Sequence, residues 1–227
     1  MPHAYFVTGT DTEVGKTTIA AALLLAANKL GVSTAAVKPV AAGCERTADG
    51  LRNGDALLLQ RCMSEPLDYD EINPVALEPA IAPHIAAERE GIKLTANRLA
   101  GICRGTLMRR AGLTLVEGAG GWRVPLSHRE MLSQLAVELR LPVILVVGMR
   151  LGCINHALLT AEAVARDGLK LAGWVANRVV PDMACYAENV ATLRGFLPAP
   201  CLGEVPHLPG AAPERVALHL DVASLLG

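Results

Sequence analysis

Six short runs of this chain are apolar over most of their length: "YFVTG" (Tyr5–Gly9), "STAAVK" (Ser33–Lys38), "LTLVEG" (Leu113–Gly118), "VILVVG" (Val143–Gly148), "LAGWVAN" (Leu171–Asn177) and "CLGEVP" (Cys201–Pro206). A strand with one wet face alternates apolar and polar residues, whereas a strand covered on both faces does not. Longer helical stretches separate the runs: Thr17–Leu30, stopped by Gly31, then Asp55–Met63, Thr95–Arg110, Arg129–Arg140, Ile154–Arg166 and Pro181–Phe196. Repeated strand-then-helix order calls for right-handed crossovers, hence an α/β fold with a doubly wound, mostly parallel sheet flanked by helices. Ser64–Gly91 is rich in Pro, Glu and Asp and reads as an irregular excursion over the strand ends. No repeat or linker divides the chain, so residues 1–227 read as one domain.

Composition narrows what such a fold would do. At 52% hydrophobic, the 227 residues can bury a full core without staples. A net charge of -1 lacks the basic footprint of a nucleic-acid binder, and 3% aromatic residues leave few platforms for stacked bases. The six cysteines form no Cys-x-x-Cys pair and read as reduced, mostly buried thiols. The apolar segments Ile19–Ala27 and Pro142–Gly148 are too short to span a bilayer, and Met1 leads into a strand without a leader pattern. The expectation is a cytoplasmic protein with neither nucleic-acid nor membrane partners.

In doubly wound sheets, ligands bind at the carboxyl ends of the strands. The first strand exits into "TGTDTEVGKTT", where Gly15-Lys16-Thr17 opens a helix. Backbone N–H groups at a helix start face an anion, a lysine there reaches β- and γ-phosphates, and the hydroxyl that follows is a magnesium ligand. This makes the fold P-loop NTPase-like, although five residues rather than the usual four separate Gly9 from Gly15. Glu117 ends the third strand ahead of small residues that let a backbone approach a ligand. Asp55 opens a helix and reads equally as an N-cap or a metal ligand. Lys38, at the second exit, is either a surface lysine or a cation that stabilises developing negative charge. The helix start at Gly152–Asn155 reads on physics alone as an ordinary cap. His84 and His156 have no ligand spacing. Asn177, in "VANR", is placed to read an adenine edge, and the lack of an Asn-Lys-x-Asp pattern favours ATP over GTP.

"YFVTGTDTEVGKT", "KPVAAG", "GLRNGDALLLQ", "PHIAA", "LVEGAGGW", "LPVILVVGMRLGCINHALLTA", "LAGWVAN" and "LGEVP" together resemble the dethiobiotin synthetase family over nearly the whole chain. The lengthened glycine loop is itself typical of that family. The resemblance implies ATP- and magnesium-dependent carboxylation and ring closure of 7,8-diaminononanoate with CO2, in biotin biosynthesis. It also implies a homodimer with the substrate site at the subunit boundary. Carried over by position, Lys38 is the active-site lysine, with Lys16 beside it. Glu13, Val14, Gly15, Lys16, Thr17 and Thr18 form the nucleotide loop. Thr17, Asp55 and Glu117 are the magnesium positions. Further nucleotide contacts are Asp55, Glu117, Gly118, Ala119, Gly120, Asn177, Arg178, Pro206, His207 and Leu208, with Glu214 in a looser match. Substrate contacts are Thr12, Lys38, Ala42, Cys153 and Asn155. Ala42 stands where well-known members carry serine, and Arg178 and His207 also depart from them. A partition-type switch ATPase is the nearest rival, but its signature lysine position holds Asp11 here. Glutamine-dependent amidating synthetases need a further domain, and metallocentre GTPases need Cys/His clusters and a guanine motif.

Overall fold

The computed structural model describes residues 3–227, so Met1 and Pro2 of the expected single domain lie outside the described residues. The first half runs β1 (His3–Gly9), α1 (Lys16–Lys29), β2 (Thr34–Val37), β3 (Val40–Ala42), β4 (Glu45–Thr47), β5 (Gly50–Arg52), α2 (Gly54–Cys62), α3 (Tyr69–Ile72), β6 (Val75–Leu77), α4 (Pro83–Arg89) and α5 (Ala96–Leu107). The second half runs β7 (Leu113–Glu117), α6 (Ser133–Leu139), β8 (Val143–Met149), α7 (Cys153–Arg166), β9 (Leu171–Arg178), α8 (Tyr186–Phe196), β10 (Cys201–Val205), α9 (Pro213–Ala217) and α10 (Ala223–Leu226).

The six apolar runs become one six-stranded sheet in the order β10-β9-β8-β1-β7-β2, with every neighbouring pair parallel. The strand order reverses direction at β1, which puts the ligand crevice at the carboxyl end of that strand. Side chains of successive residues go to opposite faces. Tyr5 and Val7 pack into the layer that holds α1, α2 and α9, while Phe6 packs with α5 and α6. Further along, Leu145, Val147 and Trp174 pack against α7 and α8. Both faces are covered, so β7 and β8 are buried at every residue, and this is why the runs show no alternation. Helix α1 is buried all round from Ile19 to Leu24, as a core helix is. Each of its two leucines there contributes roughly 1.5–3 kcal/mol of burial.

Three expectations need correction, the first being the helix expected at Pro181–Phe196, which begins only at Tyr186. The excursion over residues 64–91 is partly regular: α3, β6 and α4 lie within it, and β6 pairs in parallel with β3, Val40 opposite Val75 and Ala42 opposite Leu77. A strand of three residues carries too little periodicity to be read from sequence. The helix expected at Arg129–Arg140 begins only at Ser133, because residues 124–132 fold back on themselves. There Leu126 N–H donates to the Glu130 carbonyl at 2.8 Å and Leu132 N–H to the Val124 carbonyl at 2.7 Å.

Candidate active site

The phosphate-type loop links β1 to α1. Gly15 has φ +86°, in the left-handed region, and a Cβ there would run into the Asn177 side-chain amide. That amide donates to the Val14 carbonyl at 2.8 Å, so the end of β9 braces the loop. The Lys16 ammonium donates to the Asp11 carbonyl at 3.0 Å. Burial, with help from the positive charge of Lys38, brings the Lys16 pKa down to about 8. Asp11 in turn pairs with Arg150, which ties the loop to the turn before α7.

Lys38 follows β2 directly and is held by its backbone. Its N–H donates to the Ile72 carbonyl at 2.7 Å, and its carbonyl accepts from Asn73 Nδ2 at 2.9 Å. The ammonium donates to Glu117 Oε1 at 2.6 Å and to Asp55 Oδ2 at 2.7 Å. Thr17 Oγ1 donates to the same Glu117 oxygen at 2.7 Å. Burial alone would lower the Lys38 pKa, but the two carboxylates outweigh it and raise it, so the side chain stays an ammonium. Burial would likewise raise the Asp55 pKa, and Lys38 outweighs that, holding the carboxyl below its usual range.

The N-cap reading of Asp55 is excluded by its neighbour. Asn53 is the cap of α2, its Oδ1 accepting from the N–H groups of Asp55 at 3.1 Å and Ala56 at 3.3 Å. The Asp55 carboxylate is therefore free to meet Lys38. Three residues overlooked in the sequence support this corner. Asn53 N–H donates to the Tyr69 hydroxyl at 2.6 Å, and that hydroxyl donates to Asn73 Oδ1 at 3.0 Å. Their one sequence signal is the Tyr69/Asn73 spacing of four, which places both on one face of a helical turn.

Magnesium fits these residues. Thr17, Asp55 and Glu117 offer only hard oxygen donors, and Glu117 Oε2 is buried without a hydrogen-bond partner. Among the described residues no cluster of three or more His, Cys, Asp or Glu side chains is suited to hold a metal alone. Magnesium bound with a nucleotide needs no such cluster, since phosphates supply further ligands.

A cavity of about 780 Å³ opens above this network. Of the expected positions, Thr12, Glu13, Gly15, Lys16, Thr17, Thr18, Lys38, Ala42, Asp55, Ala119 and Gly120 line it. Glu117 lies fully buried against it, and Gly118 packs on the Phe6 ring. Ile81, Pro83, Val124 and Pro125 give the cavity an apolar side. The remaining expected positions do not line it. Asn177, Arg178, Pro206, His207 and Leu208 stand at the ends of β9 and β10, across β1 from Lys38. There His207 Nδ1 lies 3.2 Å from the Arg178 carbonyl, and the Arg178 guanidinium sits 5.4 Å from the Tyr186 ring centre. Cys153 is buried at the start of α7 and Asn155 is exposed there. Glu214 is in the first turn of α9, which packs on α1.

Comparison with known proteins adds a second line. A family model described as an AAA domain matches residues 3–215. The ATP-dependent dethiobiotin synthetase BioD of Pseudomonas paraeruginosa is 64% identical over 222 residues, covering 98% of this chain and 97% of that protein. The protein of the same name from Cellvibrio japonicus is 60% identical over 223 residues, with the same coverage of 98% and 97%. Among solved structures, the MinC:MinD cell division protein complex of Aquifex aeolicus is similar with a TM-score of 0.60 at 15% identity, covering 99% of this chain and 93% of that one. That last likeness is one of fold alone.

Proposed function

This chain belongs to the ATP-dependent dethiobiotin synthetases, ligases of the biotin pathway, and from that membership we propose a course for its reaction. The substrate is 7,8-diaminononanoate with CO2. One amine adds to CO2, loses a proton and becomes a carbamate. A carbamate oxygen attacks the γ-phosphorus of ATP and releases ADP, giving a carbamic-phosphoric anhydride. The second amine attacks the carbamoyl carbon, phosphate leaves with that oxygen, and a cyclic urea closes. Phosphorylation is needed because a carbamate anion is a poor electrophile.

The observation that carries this reading is the buried Lys38 ammonium, held by two carboxylates at the edge of a cavity next to the phosphate loop. Negative charge builds between carbamate and γ-phosphate, and Lys38 and Lys16 are the cations fixed to meet it. Thr17, Asp55 and Glu117 would hold magnesium, which when bound supplies charge neutralisation to the phosphates. The nucleotide loop is Glu13 to Thr18, with Gly118, Ala119 and Gly120 beside it. Holding two amines and one carbon in register is a proximity problem, and a cavity walled by Thr12, Ala42 and the apolar Ile81, Pro83 and Val124 suits a diamine on an alkyl chain. The nucleoside then lies across β1, at Asn177, Arg178 and Pro206 to Leu208, with Glu214 beyond them as the loosest contact. Since a carbonyl only accepts, the His207 contact to Arg178 puts the hydrogen on Nδ1 and leaves Nε2 as an acceptor, suited to the 6-amino group of adenine. Cys153 and Asn155 serve the second subunit of a homodimer.

The test is release of ADP from MgATP and bicarbonate with and without the diamine, with mass detection of the cyclic urea. Diamine-dependent ADP and the urea mass are expected. ATP hydrolysis indifferent to the diamine would overturn the reading in favour of a nucleotide switch.

A further inference from the structure

One wall of the cavity is built from chain that has little conformational preference of its own. Ala119, Gly120, Arg123, Val124 and Pro125 line the cavity, and the stretch that carries them begins Gly118-Ala119-Gly120-Gly121. Packing demands at least two of these glycines. A Cβ at Gly118 would stand 3.0 Å from the Phe6 ring, and Gly120 has φ +58° with Val124 at 2.9 Å. Three glycines in four residues lose much chain entropy when fixed, so such a wall keeps its place only if its ends are anchored. Glu117 anchors the upstream end through Lys38 and Thr17.

The downstream anchor is a single carboxylate far along the chain. Asp167, the last residue of the α7 cap, accepts from Trp122 Nε1 at 2.8 Å and from Arg123 Nη1 at 2.7 Å on Oδ2. Its Oδ1 accepts from Arg123 Nη2 at 2.9 Å. Arg123 Nη1 also donates to Ser133 Oγ at 3.2 Å, where α6 begins. The Trp122 ring is buried edge-on to Phe6, with centroids 5.9 Å apart. The two-pronged arginine contact fixes direction as well as distance, which a point charge does not. The partners lie 44 and 45 residues apart in sequence, so the contact closes a long loop. Helix α7 is thus tied at both ends, through Arg150 to the phosphate loop and through Asp167 to the glycine wall.

We propose that Arg123 and Asp167 are a positioning pair for binding of the diamine, holding the glycine wall where it shapes the diamine side of the cavity. Asp167 does not line the cavity and acts through Trp122 and Arg123 on the wall they belong to. This inference rests on the proposed function, because it assigns that side of the cavity to the diamine. Asp167→Asn keeps the shape and removes the charge, while Arg123→Lys keeps the charge and removes the fork. The expected result for each is a diamine KM raised about tenfold, the scale of losing one hydrogen bond to a charged group. The MgATP dissociation constant and kcat should stay within about threefold, since the phosphate loop has its own bracing. Arg123→Ala with Asp167→Ala should be no worse than the poorer single alanine variant, because the pair acts as a unit. Assays are run where circular dichroism shows each variant folded. Variants that melt earlier yet keep the wild-type diamine KM would overturn the proposal and leave the pair as a staple only. A wild-type enzyme with no diamine-dependent ADP release would instead fail the proposed function, so the two failures are distinguishable.

Discussion

The two sides of β1 are built differently. On the β7–β2 side, polar groups are tied to one another: Lys38 to Glu117 and Asp55, Thr17 to Glu117, Tyr69 to Asn73, Asn73 to the Lys38 carbonyl. On the β8–β10 side the ties are fewer and more separate: Asn177 braces the loop through the Val14 carbonyl and Arg150 pairs with Asp11, while His207 makes one 3.2 Å contact and Pro206 is exposed. Rigidly held charge stabilises a developing charge without reorganising at the moment of reaction. A looser rim costs little when its job is to accept a nucleoside and release it. On the proposed function, the chemistry belongs to the Lys38 side and the exchange of nucleotide to the other.

The sharpest way to break this comparison is Lys38→Ala. Turnover should fall about 10³-fold, the scale of losing one preorganised electrostatic group, while MgATP affinity changes little. Steady-state rates and calorimetric binding check both halves. An equal loss of both would make Lys38 a nucleotide residue and erase the contrast. Next, Asn73→Ala removes the amide beneath Lys38 and leaves a buried carbonyl unpaired. A stability loss of about 1–3 kcal/mol in urea is expected, with kcat falling further than the MgATP affinity. If kcat is untouched, the backbone of Lys38 needs no such support.

Across β1, His207→Ala and Arg178→Ala should raise the ATP KM by a few-fold with kcat unchanged, the mark of uniform binding. A drop in kcat there would show that the loose side also shapes the transition state. The smallest effect is on local opening. Hydrogen exchange in the free protein should be slower for amides of Lys38, Asp55 and Ala56 than for those of His207 and Leu208. Equal protection would mean that the ion-pair network does not stiffen its surroundings.

Much of this was legible in the sequence, for identifiable reasons. Strands such as β2, β7 and β8 announce themselves because burial on both faces removes polar residues, and Lys38 and Glu117 stand out because they close such runs. Asp55 stayed double in the sequence because a residue two places earlier decides its role: once Asn53 caps α2, the carboxylate is free. The region from Ser64 to Gly91 hid its order because α3 and β6 are only four and three residues long. Tyr69 and Asn73 went unseen with it. The Arg123–Asp167 contact was beyond reach for another reason. It joins residues with no shared motif or local spacing, and only the packing of α7 on the sheet brings them together.

The most direct test of the central claim follows one oxygen atom. With ¹⁸O-labelled CO2 supplied in a pulse shorter than its exchange with water, and with MgATP and the diamine present, the released phosphate is examined by mass. Phosphorylation of a carbamate oxygen predicts one ¹⁸O in each phosphate, with the other label retained in the urea carbonyl. Phosphate carrying no label would mean that water, not a carbamate, attacks ATP in this cavity, and would contradict the account.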